Sequence, residues 1–260
     1  MDHDTTQMQT YLADHRGEIT EIAARFGVRP DVHPADMIFR FVATHSGFPD
    51  SYQAIQYYFA DGKKSADRLR ALVQQWLPDR QQARLLEFAS GYGCVTRHLL
   101  AQGLPGWEFT CADIHDEAVL FLQKLGARAL PSASQPEGLR LQPFDVVFAL
   151  SFFSHMPDAT FARWLKSLYD AVLPQGLLIF TTHGYQSLPH LGNPPFNRQG
   201  FWFRADSEQL DLPGEEYGLM AATPAYVCDR IKSLPGNPQI AVFNEGMWWG
   251  HQDLWVVRKA

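Results

Sequence analysis

The chain predicts an α/β fold, a doubly wound and mostly parallel sheet preceded by a helical cap. Three observations carry that expectation. The stretch Leu85–Gly103 reads as strand, glycine turn and helix. Two nearly continuous apolar runs, FDVVFAL and LLIFTT, have the composition of strands covered on both faces. Helical periods separate successive strands from Ala83 onward, the alternation that builds a parallel sheet.

The glycine turn organises the rest. A short apolar run, Leu85 to Phe88, gives way to Ala89, Ser90, Gly91 and Gly93, and a helical period follows through Val95, Leu99 and Leu100. Glycine lets the backbone turn sharply and approach a ligand, and the N–H groups opening the next helix favour polar or anionic groups. Neither the dinucleotide fingerprint nor the phosphate loop is complete, and Thr96 stands where a third glycine would pack a pyrophosphate-binding helix. A second strand, Trp107 to Ala112, ends in Asp113, about 20 residues beyond the turn, where an acid accepts hydrogen bonds from ribose hydroxyls. The expected ligand is a nucleoside or nucleotide.

Before this core, Tyr11 to about Leu77 reads as helical. Ile19, Ile22, Ala23 and Phe26 share one face of a helix ending at Gly27; Met37, Ile38, Phe41 and Val42 share a face of the next. Ser51 is the expected cap of a third helix with Ile55, Tyr58 and Phe59 on one side, broken at Asp61-Gly62, and a fourth runs from about Ser65 to Trp76 before Pro78. Residues 1–80 are thus a cap or platform, and 81–260 the core.

Within the core a helix covers Glu117 to Leu125, a third strand lies near Arg128 to Leu130, and the helix between strands four and five places Phe161, Trp164, Leu165, Leu168 and Val172 at helical spacing. After strand five, residues 184–222 are long, rich in Gly and Pro, and carry the aromatics Tyr185, Phe196, Phe201, Trp202 and Phe203. Such a stretch reads as a functional lid with short strands at Phe201–Arg204 and Tyr217–Met220. Thr223 and Pro224 open a helix, and two tail strands, Ile240–Asn244 and Asp253–Val257, pair antiparallel at a sheet edge, which makes seven strands.

Composition narrows the function. A formal charge of −6 argues against general nucleic-acid affinity, and three scattered cysteines form neither a disulfide framework nor a zinc site. No histidine and carboxylate cluster has metal spacing. No apolar stretch approaches the length of a membrane span, and the first residues lack a secretory pattern, so a cytoplasmic protein, monomer or homodimer, is expected.

Taken together, the motifs resemble those of the class I S-adenosylmethionine-dependent methyltransferases, over roughly Leu85 to Lys259. The family's D/E-x-G-x-G-x-G loop corresponds to Glu87, Phe88, Ala89, Ser90, Gly91, Tyr92 and Gly93, with Ala89 in place of the first glycine. FDVVFALSFFSHMPD is similar to the fourth strand and the segment after it, and LYDAVLPQGLLIFTTHG to the turn into strand five, with Gln175 where glycine is common. The resemblance implies a Rossmann-like fold and S-adenosyl-L-methionine as cofactor, bound by Glu87, Ala89, Gly91, Asp113, Ile114 and Leu150, with Tyr58 and Lys63 closing over its amino-acid end. It implies methyl transfer to an oxygen or nitrogen of a small molecule; the alternative is a non-catalytic binding protein of the same fold, motivated by Ala89 and Gln175. The place after strand four reads SFFS, unlike the asparagine-proline motif of base-methylating relatives.

Residues beyond the fourth and fifth strands are the candidates for chemistry. His155 either serves as a base or caps the following helix; His183 ends strand five facing the expected cleft; His251, beside Trp248 and Trp249, reads as structural. Phe153, Tyr185, Trp202 and Arg204 are the candidate acceptor contacts, with Phe201–Phe203 either an acceptor wall or an anchor for the lid. Arg204 either reads an acidic group or is a solvated surface residue.

Overall fold

The computed structural model describes residues 3–207, 209 and 212–260. Its main sheet has seven strands: β1 (Ala83–Phe88), β2 (Trp107–Asp113), β3 (Arg128–Pro131), β4 (Phe144–Ala149), β5 (Val172–His183), β8 (Gln239–Trp248) and β9 (Gln252–Arg258), in the order β3-β2-β1-β4-β5-β9-β8. β1 runs parallel to β4, β4 to β5 and β2 to β3, while β9 is antiparallel to β5 and β8. That is the doubly wound, mostly parallel class with an antiparallel tail that the sequence predicts. β4 is buried at every residue, which is why it reads as an unbroken apolar run.

Two compact units make up the chain, Met1–Gln82 with Ser90–Pro131, and Ala83–Ala89 with Ser132–Ala260. The first contains α1 (His3–Asp14), α2 (Arg16–Phe26), α3 (Met37–Thr44), α4 (Ser51–Trp76), α5 (Thr96–Ala101) and α6 (Asp116–Leu125). Ile19, Ile22, Phe39, Ile55, Tyr58 and Phe59 form its helical core. Burying such side chains is worth roughly 1.5–3 kcal/mol each and holds the helices together. Asp36 caps α3, accepting from the Phe39 N–H at 3.0 Å.

α4 corrects the sequence reading twice. Its cap is Asp50, which accepts from Gln53 N–H at 2.8 Å, whereas the Ser51 hydroxyl turns to Glu18. The helix also continues through Asp61-Gly62 without a break. Gly62 is there for proximity: a Cβ at this position would lie 2.1 Å from the Cys94 carbonyl oxygen, so only glycine lets α4 pack on the turn before α5.

The second unit holds α7 (Asp158–Asp170) and α8 (Pro224–Lys232) besides its strands, and a separate antiparallel pair, β6 (Phe201–Arg204) with β7 (Leu219–Ala222). Thr223 caps α8 as its sequence suggests, accepting from Tyr226 N–H. β7 begins two residues later than the sequence predicts, because Tyr217 and Gly218 are taken up by contacts to His155.

Candidate functional site

The turn after β1 carries the first part of the site. Ala89 has φ +56° and Gly91 φ +55°, and a Cβ built on Gly91 would meet nothing within 4 Å among the described residues. The backbone at Gly91 therefore faces open space. Gly93, in contrast, packs: a Cβ there would press on Leu122 and Leu125 at 3.0 and 3.1 Å.

Asp113 fixes this turn from the end of β2. One carboxylate oxygen accepts the Gly91 N–H at 2.8 Å, and the other accepts the His115 backbone N–H and ring Nδ1–H, each at 3.0 Å. Its side chain is buried, while the next residue, Ile114, is 36% exposed. A carboxylate has about four acceptor positions, so one remains for a ligand hydroxyl. The ring of Tyr92, within the turn, stacks on His33 at 4.5 Å with planes 7° apart. Burial holds the His33 pKa below its usual value, partly offset by Glu117 and Asp36.

Arg97 is the residue that sequence reasoning missed. It is 2% exposed, and its guanidinium donates to four partners: the carbonyls of Gly93 (3.0 Å), Arg29 (3.0 Å) and Asp31 (2.9 Å), and the Tyr58 hydroxyl (3.3 Å). Tyr58 in turn donates to Asp36 at 2.6 Å. Burial raises the Asp36 pKa, against the bonds from Tyr58 and Phe39 that favour its charge, and raises that of Tyr58 further. Buried ions persist only when paired and bonded. The signal was an arginine inside a helix, α5, with Thr96, His98 and Leu99 buried around it.

Two residues expected at the cofactor's amino-acid end have other partners. Tyr58 is 1% exposed and its hydroxyl is committed to Asp36 and Arg97, so it belongs to the helical core and closes over nothing. Lys63 spends its ammonium on Asp67 at 2.6 Å, an ordinary pair one helical turn away.

In the second unit, Glu87 is buried at the end of β1 and Leu150 is half-buried after β4. His155 follows in a 3-10 turn, Phe153–His155. Its Nδ1 lies 2.8 Å from the Gly218 carbonyl, and the Gly218 N–H returns a bond of 3.0 Å to the His155 carbonyl. Tyr217 stacks on the imidazole at 4.4 Å. A carbonyl only accepts, so the neutral ring carries its proton on Nδ1 and its basic lone pair on Nε2.

His183 is placed differently. Its Nδ1 lies 3.0 Å from the Met220 carbonyl and its Nε2 lies 3.1 Å from the Gln252 amide nitrogen, so both ring nitrogens are engaged. Burial, with His155, His251 and His190 nearby, pushes its pKa down to about 3. The lone pair that a catalytic base at His183 would use is thus engaged by Gln252. His251 ring contacts are to His183, His190 and Trp249, in keeping with a packing role.

The candidate acceptor contacts divide. Phe153 is fully buried among Phe152, Phe161 and Phe180, which makes it core and removes it from the list of binding residues. Phe201 is buried against Tyr226 of α8 and anchors the lid. Tyr185 is 49% exposed with Phe196 edge-on, and Trp202 is half-buried under the Arg204 guanidinium at 5.9 Å. Arg204 also pairs with Asp206 at 3.2 Å, both exposed, so it is a surface residue already neutralised. Among the described residues no group of three or more His, Cys, Asp or Glu could hold a metal, and no helix is long and apolar enough to cross a membrane.

Comparison with known proteins bears on the fold that carries these residues. Residues 86–178 match the family model described as a methyltransferase domain. A malonyl-[acyl-carrier protein] O-methyltransferase from Calditerrivibrio nitroreducens is 26% identical over 159 residues, 61% of this chain and 61% of that protein, so the chain spans about three fifths of the relative's length. Magnesium protoporphyrin IX methyltransferase from Synechocystis PCC 6803, solved with bound SAH, superposes with a TM-score of 0.57 at 13% identity, covering 85% of this chain and 93% of that one. CalS10, an amino pentose methyltransferase from Micromonospora echinaspora solved with SAM, gives 0.57 at 14% identity, covering 82% and 98%. The chain shares the fold of these S-adenosylmethionine-dependent methyltransferases, and its match to the methyltransferase-domain model lies at residues 86–178.

Proposed function

We propose that the protein transfers a methyl group from S-adenosyl-L-methionine to an oxygen or nitrogen of a small-molecule acceptor. The observation that carries this reading is the Asp113 carboxylate fixing a turn whose Gly91 backbone opens onto free space, beside an exposed Ile114. These groups fit the cofactor: Asp113 has an acceptor position left for ribose hydroxyls and Ile114 offers an apolar surface to adenine, and Glu87, Ala89 and Leu150 are the further residues assigned to it in this reading. When bound, S-adenosylmethionine supplies a methyl group on an already activated sulfonium. What the chain must add is alignment, exclusion of water and removal of a proton where the acceptor carries one.

His155 is the proton acceptor in this reading. Gly218 accepts the Nδ1–H, so the basic nitrogen that takes a proton from a hydroxyl or amine is Nε2, and Tyr217 keeps the ring in plane. Tyr185 and Trp202 supply aromatic surface for the acceptor. Residues 1–80 act as the cap and 184–222 as the lid. A small acceptor is supported by the O-methyltransferase and amino pentose methyltransferase likenesses, and the charge of −6 disfavours nucleic acid. The protein works in the cytoplasm as a monomer or homodimer.

The non-catalytic reading loses its motive. Ala89 and Gln175 replace family glycines, yet both keep the left-handed backbone, φ +56° and +61°, that glycine would have provided. Titration calorimetry with S-adenosylhomocysteine tests the proposal. Wild type binds, and Asp113→Ala weakens binding at least tenfold, since a hydrogen bond to a charged group contributes about 1.5–3 kcal/mol. No binding at millimolar ligand would overturn it.

A further inference from the structure

At the C-terminal end of β5, side chains from distant parts of the second unit form a closed ring of hydrogen bonds. The Ser151 N–H donates to Thr181 Oγ1 at 2.8 Å, Thr181 donates to Gln252 Oε1 at 2.7 Å, and Gln252 Nε2 donates back to Ser151 Oγ at 2.8 Å. The amide nitrogen has a second proton, and it points at His183 Nε2, 3.1 Å away. Thr181 and Gln252 are 0% and 2% exposed.

These contacts fix the protons. Met220 offers only a carbonyl to His183 Nδ1, so the proton lies there, and Nε2 must accept from Gln252. The groups facing His183 from neighbouring elements are His155 after β4, His190 in the 3-10 turn after β5, and His251 between β8 and β9. All are bases, so a proton added to His183 would find no anion among them. Ser151, the other end of the ring, has φ +57°, a conformation that a serine keeps only when its surroundings hold it. The ring holds it through both N–H and Oγ, and Ser154 adds a hydrogen bond to its carbonyl at 2.5 Å. His155 is the next residue after Ser154.

We propose that Gln252 is a positioning residue for methyl transfer: its carboxamide keeps His183 a neutral Nδ1–H imidazole and pins the strained Ser151 turn that presents His155. The inference rests on the reading of His155 as proton acceptor. It gives His183 a task of its own, that of a neutral structural acceptor.

The test is nitrogen-15 NMR of the histidine rings in the full chain, with S-adenosylhomocysteine calorimetry in parallel. In the wild type, His183 shows the Nδ1–H tautomer and does not titrate between pH 7.5 and pH 5. Gln252→Glu places a carboxylate against Nε2, draws a proton onto it and moves the His183 titration up by at least one pH unit. Gln252→Met removes both donors and displaces the ring signals of His183 and His155, while affinity for S-adenosylhomocysteine stays within about threefold. A wild-type His183 that is Nε2–H, or that titrates near pH 6.5, overturns the proposal, and so do unchanged His155 signals in both variants. Failure of the wild type to bind S-adenosylhomocysteine overturns the methyl-transfer reading itself; binding with the wrong tautomer overturns only the role of Gln252.

Discussion

The buried polar network of the first unit is built around charge, and that of the second around neutral groups. Arg97, Asp36 and Tyr58 tie the cap to the glycine turn through a buried guanidinium. Gln252, Thr181, Ser151 and His183 achieve comparable order with amide, hydroxyl and imidazole groups. On the proposed function, the difference suits two tasks. A cofactor turn has only to stay in place, whereas a site that accepts a proton is better surrounded by groups that do not compete for it.

The sharpest way to break this comparison is to remove a member of each network. Arg97→Met leaves the carbonyls of Gly93, Arg29 and Asp31 without their donor and Asp36 without a nearby cation. Loss of one partner from a buried charged network costs about 3–5 kcal/mol. Gln252→Met leaves only neutral groups unsatisfied, at about 1–3 kcal/mol. Urea denaturation of the two variants measures both, and equal costs would mean that charge makes no difference to the holding strength.

A smaller effect sharpens the second half of the comparison. Asp253, next to Gln252 on β9, is 1% exposed; burial raises its carboxyl to about 6, the Gly246 N–H only partly offsetting this. One of its oxygens has no hydrogen-bond partner. Because the folded pKa lies above the unfolded value, the native state binds the proton more tightly, and stability falls as pH rises from about 4 through 6. Asp253→Asn removes that loss, so the variant should gain roughly 2–3 kcal/mol over wild type at pH 8 and nothing at pH 3.5. His183 acts with the opposite sign: its folded pKa, about 3, is depressed, so its contribution is present above pH 6.5 and is lost on acidification toward 3. Thermal melts of wild type and Asp253→Asn across this range separate the two.

How much of this was legible beforehand depends on the kind of constraint. β4 and β5 could be read because burial on both faces leaves a continuous apolar run, and Asp113 because an acid at a strand tip follows a glycine turn at fixed distance. Gly62 misled because its reason is a contact with Cys94 made across the fold, which local helix rules treat as a break. Tyr58 and Phe153 looked like ligand contacts for a similar reason: an aromatic near a motif has the same letter whether it faces a cleft or the core. Arg97 and Gln252 could not be given partners from the sequence, since Arg97 reaches Arg29 and Asp31, 68 and 66 residues away, and Gln252 reaches Ser151, 101 residues away.

The smallest effect concerns the positions where the family's glycine is absent. Ala89 leads into the turn at φ +56°, a region where a Cβ crowds the following carbonyl at a cost of about 1–2 kcal/mol. Glycine removes that strain but adds freedom to the unfolded chain, worth about 0.4–1 kcal/mol. Ala89→Gly should therefore stabilise the protein by about 0.5–1 kcal/mol in urea denaturation, and Gln175→Gly, at φ +61°, by a similar amount. The two positions differ in what else should change. Gln175 N–H bonds the Lys259 carbonyl at 2.9 Å at the far end of β5, so its replacement leaves S-adenosylhomocysteine binding untouched. Ala89 lies in the motif itself, and removing its methyl group should tighten binding or leave it equal. Weaker binding by Ala89→Gly would mean that the methyl group contacts the cofactor, and the turn would then be specialised rather than merely strained.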